Sequence, residues 1–222
     1  MLELVQFPWS PFCIVQRRIL EFAGAKFRLR NIPNTDRTLV WKLTKQRTYQ
    51  VPVLRDGARV VIETSDTSQC IADYLDHKFG LDLFPASTRG VQAVLSQHVE
   101  DEIEGLGFKL NDIHYMEFLP KREHLAFIRH KERKFGRGCI DQWRAHQDAL
   151  LDGLAQKLAP FEQMLHTRPF LLADRPQFID FDLYGMLANF LFSGHHRLPK
   201  QHPLLAQWHS KMARIKHRDL AH

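Results

Sequence analysis

The chain begins with an apolar run, Leu2 to Phe7, followed by apolar residues at Phe12, Val15, Ile19, Phe22 and Ala23. A short continuous run predicts a strand, and spacings of three and four predict an amphipathic helix. Further on, Val51-Pro52-Val53-Leu54 reads as a strand, Asp56-Gly57 as a tight turn and Arg59 to Glu63 as the returning strand. Asp66-Thr67-Ser68 supplies capping side chains to a second helix that continues through Ile71, Tyr74 and Leu75. The predicted order is strand, helix, strand, strand, strand, helix: a small α/β layer over residues 1–79, with two helix N-termini at one edge.

Strand signals stop in the segment 80–88, which reads as a linker, and residues 89–222 are helical in pattern. Val91, Val94, Leu95, His98 and Ile103 suit the buried stripe of a long first helix. Leu150, Leu151, Leu154, Leu158, Phe161, Met164 and Leu165 form another stripe, which Pro160 is expected to kink or break. Leu183, Met186, Leu187, Phe190 and Leu191 make a helix that is apolar on most sides, as expected of a domain's buried centre.

The strand-to-helix turn Trp9-Ser10-Pro11-Phe12-Cys13 carries the candidate chemistry. Proline suits the first helical turn, where its missing N–H costs nothing. A helix start also offers free N–H groups and a positive dipole end, so it favours an anion. Ser10 therefore either caps the helix or donates its hydroxyl to a thiolate or oxyanion. Pro52, at the start of its strand, is either an edge device or part of a cis peptide.

These motifs resemble those of the cytosolic glutathione transferase family. Ser10-Pro11-Phe12-Cys13 is similar to the family's active-site turn, in which a serine, cysteine or tyrosine faces the glutathione sulfur. Val51-Pro52-Val53-Leu54 is similar to its cis-proline segment, and Thr67 to Leu75 to the helix start that holds the γ-glutamyl end. Leu83-Phe84-Pro85 resembles the junction into an all-helical domain, and Phe170 to Asp180 that domain's late signature. The implied fold is a thioredoxin-like α/β domain followed by an all-α helical bundle. The implied cofactor is glutathione as co-substrate, conjugated to small electrophiles in detoxification by a homodimer.

The resemblance makes Ser10 the thiolate stabiliser, with Cys13 as the alternative in a glutathione-dependent thiol or dehydroascorbate reductase. A non-catalytic binding module on the same scaffold is the third reading. Glutathione would be bound by Phe12, Lys45, Gln50, Val51, Pro52, Thr67 and Ser68, and the second substrate walled by Trp9, Phe108 and Tyr115. Thr67 stands where the family has an acid, and a shifted register would use Glu63-Thr64 instead. Gln177 stands in place of the usual capping Ser or Thr three residues before Asp180.

Composition narrows the field. The 222 residues carry a formal charge of +6, and Lys121 to Arg137 alone holds seven Lys or Arg against two Glu. Only Phe127 and Phe135 interleave that stretch and it carries no nucleic-acid motif, so it reads as a solvated face or a mouth for anionic ligands. Cys13, Cys70 and Cys139 are too few and too scattered for a disulfide framework, and Cys13 and Cys70 read as core. His195, His196, His202 and His209 lack the helical spacing with an acid that a metal site needs, so no metal is expected. With no signal-length or membrane-length apolar run, a cytoplasmic protein with no membrane span is expected.

Overall fold

The computed structural model describes residues 1–63 and 69–220. β1 (Leu2–Gln6) lies at the centre of a four-stranded sheet, parallel to β2 (Phe27–Asn31) and antiparallel to β3 (Val53–Asp56), which pairs with β4 (Arg59–Ile62). The order is β2-β1-β3-β4. Leu4 faces Leu54 and Val5 faces Val53 across β1 and β3, and all four are fully buried, which is why these strands are apolar runs. The parallel pair needs a crossover, and α1 (Pro11–Phe22) supplies it.

Before β3 the chain forms α2 (Thr38–Leu43), which the sequence pattern does not predict. Its signal is weak because only Val40 of its six residues is buried, so no stripe develops. α3 (Cys70–Phe79) closes on Gly80, whose φ of 62° is the left-handed conformation that glycine adopts without strain. The expected opening of that helix at Thr67 and Ser68 lies outside the described residues.

The helical part runs α4 (Arg89–His98), a π-helical segment Val99–Glu104, α5 (Gly105–Asp112), α6 (Tyr115–Phe118), α7 (His124–Phe135), α8 (Cys139–Ala145), α9 (Gln147–Leu165), α10 (Phe178–Phe190) and α11 (Pro203–Met212). α10 is buried nearly all round, as its composition predicts.

Two expectations are corrected. Val91 and Val94 of α4 are 52% and 70% exposed, and the helix instead buries Gln92 and Ser96. Gln92 belongs inside because its carboxamide donates to the Leu83 carbonyl and accepts from the Ile179 N–H, stitching the linker to α10. Pro160 does not break α9, which continues from Gln147 to Leu165. An internal proline costs about 3 kcal/mol. Burying Leu154, Leu158, Phe161 and Leu165 on one face outweighs it at about 1.5–3 kcal/mol per side chain.

One hydrophobic core crosses both domains, joining Leu4, Ile19 and Phe22 to Phe178, Phe181 and Phe190. α1 and α10 meet along this seam. An added Cβ on Gly185 would stand 2.9 Å from the Pro11 carbonyl oxygen and would collide with Val15, so only glycine permits the approach. Arg18, 2% exposed, donates to the Met212 and Ile215 carbonyls at the end of α11. Helix-end oxygens thus meet Nε and Nη2 of a buried cation, and Nη1 lies 3.6 Å from the Glu21 carboxylate.

Candidate active site

Ser10 has extended backbone geometry (φ −64°, ψ 126°) and its carbonyl accepts the first helical bond, from the Ile14 N–H, at 2.9 Å. Its hydroxyl makes no capping bond to the helix backbone; its side-chain partner within α1 is the Cys13 thiol. It lines a cavity of about 330 Å³ together with Phe12, Arg37, Thr48, Gln50, Val51, Pro52, Glu63 and Glu100. The Val51–Pro52 peptide is cis.

Glu63 closes one end of this cavity. Its carboxylate accepts from the Cys70 N–H at 2.7 Å and the Ile71 N–H at 3.4 Å, the first free donors of α3. Burial pushes its pKa up to about 8, with Glu100 adding to the rise and the two N–H bonds opposing it. Glu63, the acid of the alternative register, thus reaches the start of α3.

A second cavity, of about 180 Å³, shares Phe7, Ser10, Phe12 and Arg37 with the first. Its aromatic walls are Trp9, Phe108, Phe127 and Phe135, and its polar lining includes Glu104, Asp112, His130, Lys131 and Lys134. Lys131 pairs with Asp112 at 2.5 Å and sits 4.2 Å from the centre of the Phe108 ring. Burial raises the Glu104 pKa to about 7 against the pull of Lys131 and Lys134. Burial, helped by Lys131, Arg133 and Arg37, depresses that of His130.

Arg37 stands in the wall common to both cavities. It lies 4.3 Å over the Phe7 ring and donates to the Tyr49 and Asn34 carbonyls and to the Asn34 side chain. Among the described residues no carboxylate reaches it.

Of the residues singled out in the sequence, Ser10, Phe12, Gln50, Val51 and Pro52 line the first cavity, and Trp9, Phe12 and Phe108 the second. Lys45 is exposed at φ 51° and lines neither. Tyr115 is 7% exposed and packs into the helical core, its ring 5.3 Å from Phe127. Thr67 and Ser68 lie outside the described residues. Cys13 is completely buried, and burial pushes its thiol up to about 11 despite the nearby Ser10. Cys70 is only half-buried at the start of α3.

Sequence reasoning missed Arg37, Thr48, Glu100, Glu104 and Asn189. Only Asn189 left a signal, as an amide among the apolar residues of the last turns of α10. The basic stretch divides in two: His130, Lys131 and Lys134 face the second cavity, whereas Arg122, Arg129, Arg133 and Arg137 line an outer groove with Leu125.

Residues 4–83 match the family model for the glutathione S-transferase N-terminal domain, and residues 141–210 match that for the C-terminal domain. Curated proteins give no sequence match. Among solved structures, the chain is similar to glutathione transferase GSTFuA3 from Phanerochaete chrysosporium, at 20% identity and a TM-score of 0.81, covering 96% of each chain. Glutathione S-transferase CsGST63524 of Ceriporiopsis subvermispora, in complex with glutathione, gives 16% and 0.76, covering 95% of this chain and 94% of that one. Glutaredoxin 2 from Salmonella typhimurium, also with glutathione, gives 20% and 0.74 over 96% and 94%. These likenesses establish the fold.

Proposed function

With both of its domains in one chain, the protein belongs to the glutathione S-transferase family, and we propose that it conjugates glutathione to small electrophiles. The observation that carries this reading is the position of Ser10. Its hydroxyl, not used as a cap, lines the wall common to two adjoining cavities. Glutathione fills the larger cavity and the electrophile the smaller, aromatic one, so the sulfur meets its target beside Ser10.

Only the thiolate attacks. Lowering a thiol pKa by about two units takes about 2.7 kcal/mol of preferential thiolate stabilisation. A hydrogen bond to a charged group contributes about 1.5–3 kcal/mol, and a helix N-terminus about 0.3–1. Ser10 at the start of α1 meets that need, with Arg37 adding positive charge and the thiol proton leaving to water. Gln50 and the Val51 main chain hold the glycyl and cysteinyl parts of glutathione. Thr67 and Ser68 hold the γ-glutamyl carboxylate, and the γ-glutamyl ammonium pairs with Glu63 beside Glu100, favouring loss of the proton that burial otherwise keeps on Glu63 near pH 7.

A buried, neutral Cys13 weighs against the thiol-reductase chemistry. Exposed Val91 and Val94 on α4 suit a homodimer face, and a cytoplasmic location fits the same reading. Ser10→Ala tests the proposal: conjugation of an activated aryl halide should fall about ten- to a hundredfold, while glutathione retention stays within several-fold. Cys13→Ala should leave conjugation intact. Unchanged turnover in Ser10→Ala, or loss of activity in Cys13→Ala alone, would overturn the assignment.

A further inference from the structure

The fold gathers three of the thirteen histidines around α6, far from any spacing visible in the sequence. The rings of His114 and His195 lie parallel at 3.8 Å with an interplanar angle of 5°. Glu117, one turn beyond His114, places Oε2 2.7 Å from His195 Nε2 and Oε1 3.4 Å from His114 Nδ1. One donor atom from each of the three residues falls within 4.8 Å of the other two.

We propose that His114, Glu117 and His195 form a binding site for a divalent first-row transition ion such as Zn²⁺. Two imidazole nitrogens and one carboxylate oxygen would be its ligands, with the solvent side open. Bonds of about 2.0–2.1 Å put tetrahedral ligands about 3.4 Å apart. The two donor pairs through Glu117 stand 2.7 and 3.4 Å apart, and the exposed His195 ring must swing out of its stack on His114 for both nitrogens to converge on the ion. Imidazole with carboxylate is a donor set suited to Zn²⁺, Ni²⁺, Cu²⁺ or Fe²⁺ rather than to Ca²⁺ or Mg²⁺. The contact between Glu117 and His195 contains a proton that the ion replaces.

The two arms of the site are fixed before any ion arrives. His196 donates to the Leu110 carbonyl at 3.0 Å and lies edge-on to His114, so it backs the site without ligating. The Ser193 N–H donates to Asn111 Oδ1 at 3.1 Å and ties the segment after α10 to α5. His195 and Glu117 keep side-chain exposures of 45% and 53%, so ion and water have access. Binding would clamp α6 to the segment after α10. Phe118 and Phe192, which pack on each other, belong to those arms, and Phe118 also meets Trp9 at 5.6 Å in the second cavity's wall. The site is independent of the glutathione reading.

The untagged full-length protein, free of thiols and chelators, is titrated with Zn²⁺ by calorimetry and with Cu²⁺ by electron paramagnetic resonance. The expected result is one ion per chain, a copper spectrum with hyperfine structure from two nitrogens, and a raised melting temperature with Zn²⁺. His195→Ala and Glu117→Gln should each weaken Zn²⁺ at least about tenfold, the loss that even an outer partner of a ligand causes. Both side chains are exposed, so losing their mutual contact should lower the ion-free melting temperature by no more than a few degrees, and if one variant fails to fold the other decides. Unaltered Zn²⁺ affinity in the folded variants, or a copper spectrum without nitrogen coordination, would overturn the site.

Discussion

The Asn189 carboxamide donates to the Trp9 carbonyl at 2.7 Å, across 180 residues of chain. One turn earlier on α10, Gly185 admits the Pro11 carbonyl to within 2.9 Å of where a Cβ would stand. The centre of the helical domain therefore meets the active-site turn at the carbonyls on either side of Ser10, and the position of Ser10 depends on the seam between the domains.

Breaking that grip should harm both stability and chemistry. Asn189→Leu leaves the Trp9 carbonyl without its donor, at a cost of about 1–3 kcal/mol. Gly185→Ala overpacks the seam for a similar loss of about 1–3 kcal/mol. Urea unfolding should show both losses, and conjugation should fall by more than the unfolded fraction explains. An Asn189→Leu variant with wild-type stability and turnover would show that the contact positions nothing.

Arg37→Gln should raise the glutathione KM by about tenfold, the equivalent of 1.4 kcal/mol, since it removes an acid-free cation from the wall of both cavities. The salt dependence of glutathione binding should flatten in the same variant, because a charge has left the site. Binding as tight and as salt-sensitive as wild type would remove Arg37 from anion recognition.

Glu63→Ala deprives the Cys70 and Ile71 N–H groups of their acceptor, and a lost cap costs about 0.5–2 kcal/mol. Glutathione affinity should also drop, because the acid that ionises to pair with the γ-glutamyl ammonium is gone. Glu63→Gln separates the two effects: its amide oxygen still accepts from α3, so stability should recover while affinity stays low. Equal recovery of both would mean that Glu63 is only a cap.

Glu104 makes stability depend on pH. Its folded pKa of about 7 lies above the ordinary glutamate value of 4.5, so the folded state favours the neutral acid. The resulting stability is fully present below pH 4.5 and is lost as pH rises through 7. The loss is at most ~3 kcal/mol. Glu104→Gln removes it, so urea unfolding should show the variant gaining on wild type between pH 5 and 8. Parallel profiles would show that Glu104 is charged and well paired throughout.

Chain-local physics carried much of the fold. Apolar runs bounded by turns gave β1, β3 and β4, spacings of three and four gave α1, and the apolar residues on most sides of α10 gave the buried centre, because period and length are properties of neighbouring residues. The turn at Ser10 was legible for the same reason, since Pro11 and the helix start lie side by side in sequence. α2 was not, because one buried residue makes no stripe, and the face of α4 was misread because Gln92 goes inside only to satisfy carbonyl and amide groups supplied by Leu83 and Ile179. Arg37, Glu63, Glu104 and Asn189 owe their places to partners on other elements. So does the His114–Glu117–His195 cluster, where 78 residues separate the acid from its second histidine. The sequence by itself determined most of the strands and helices, α2 excepted, and which turn carries the hydroxyl. Tertiary structure alone decided which charges face that hydroxyl, because burial and distance between remote residues exist only once the chain has closed on itself.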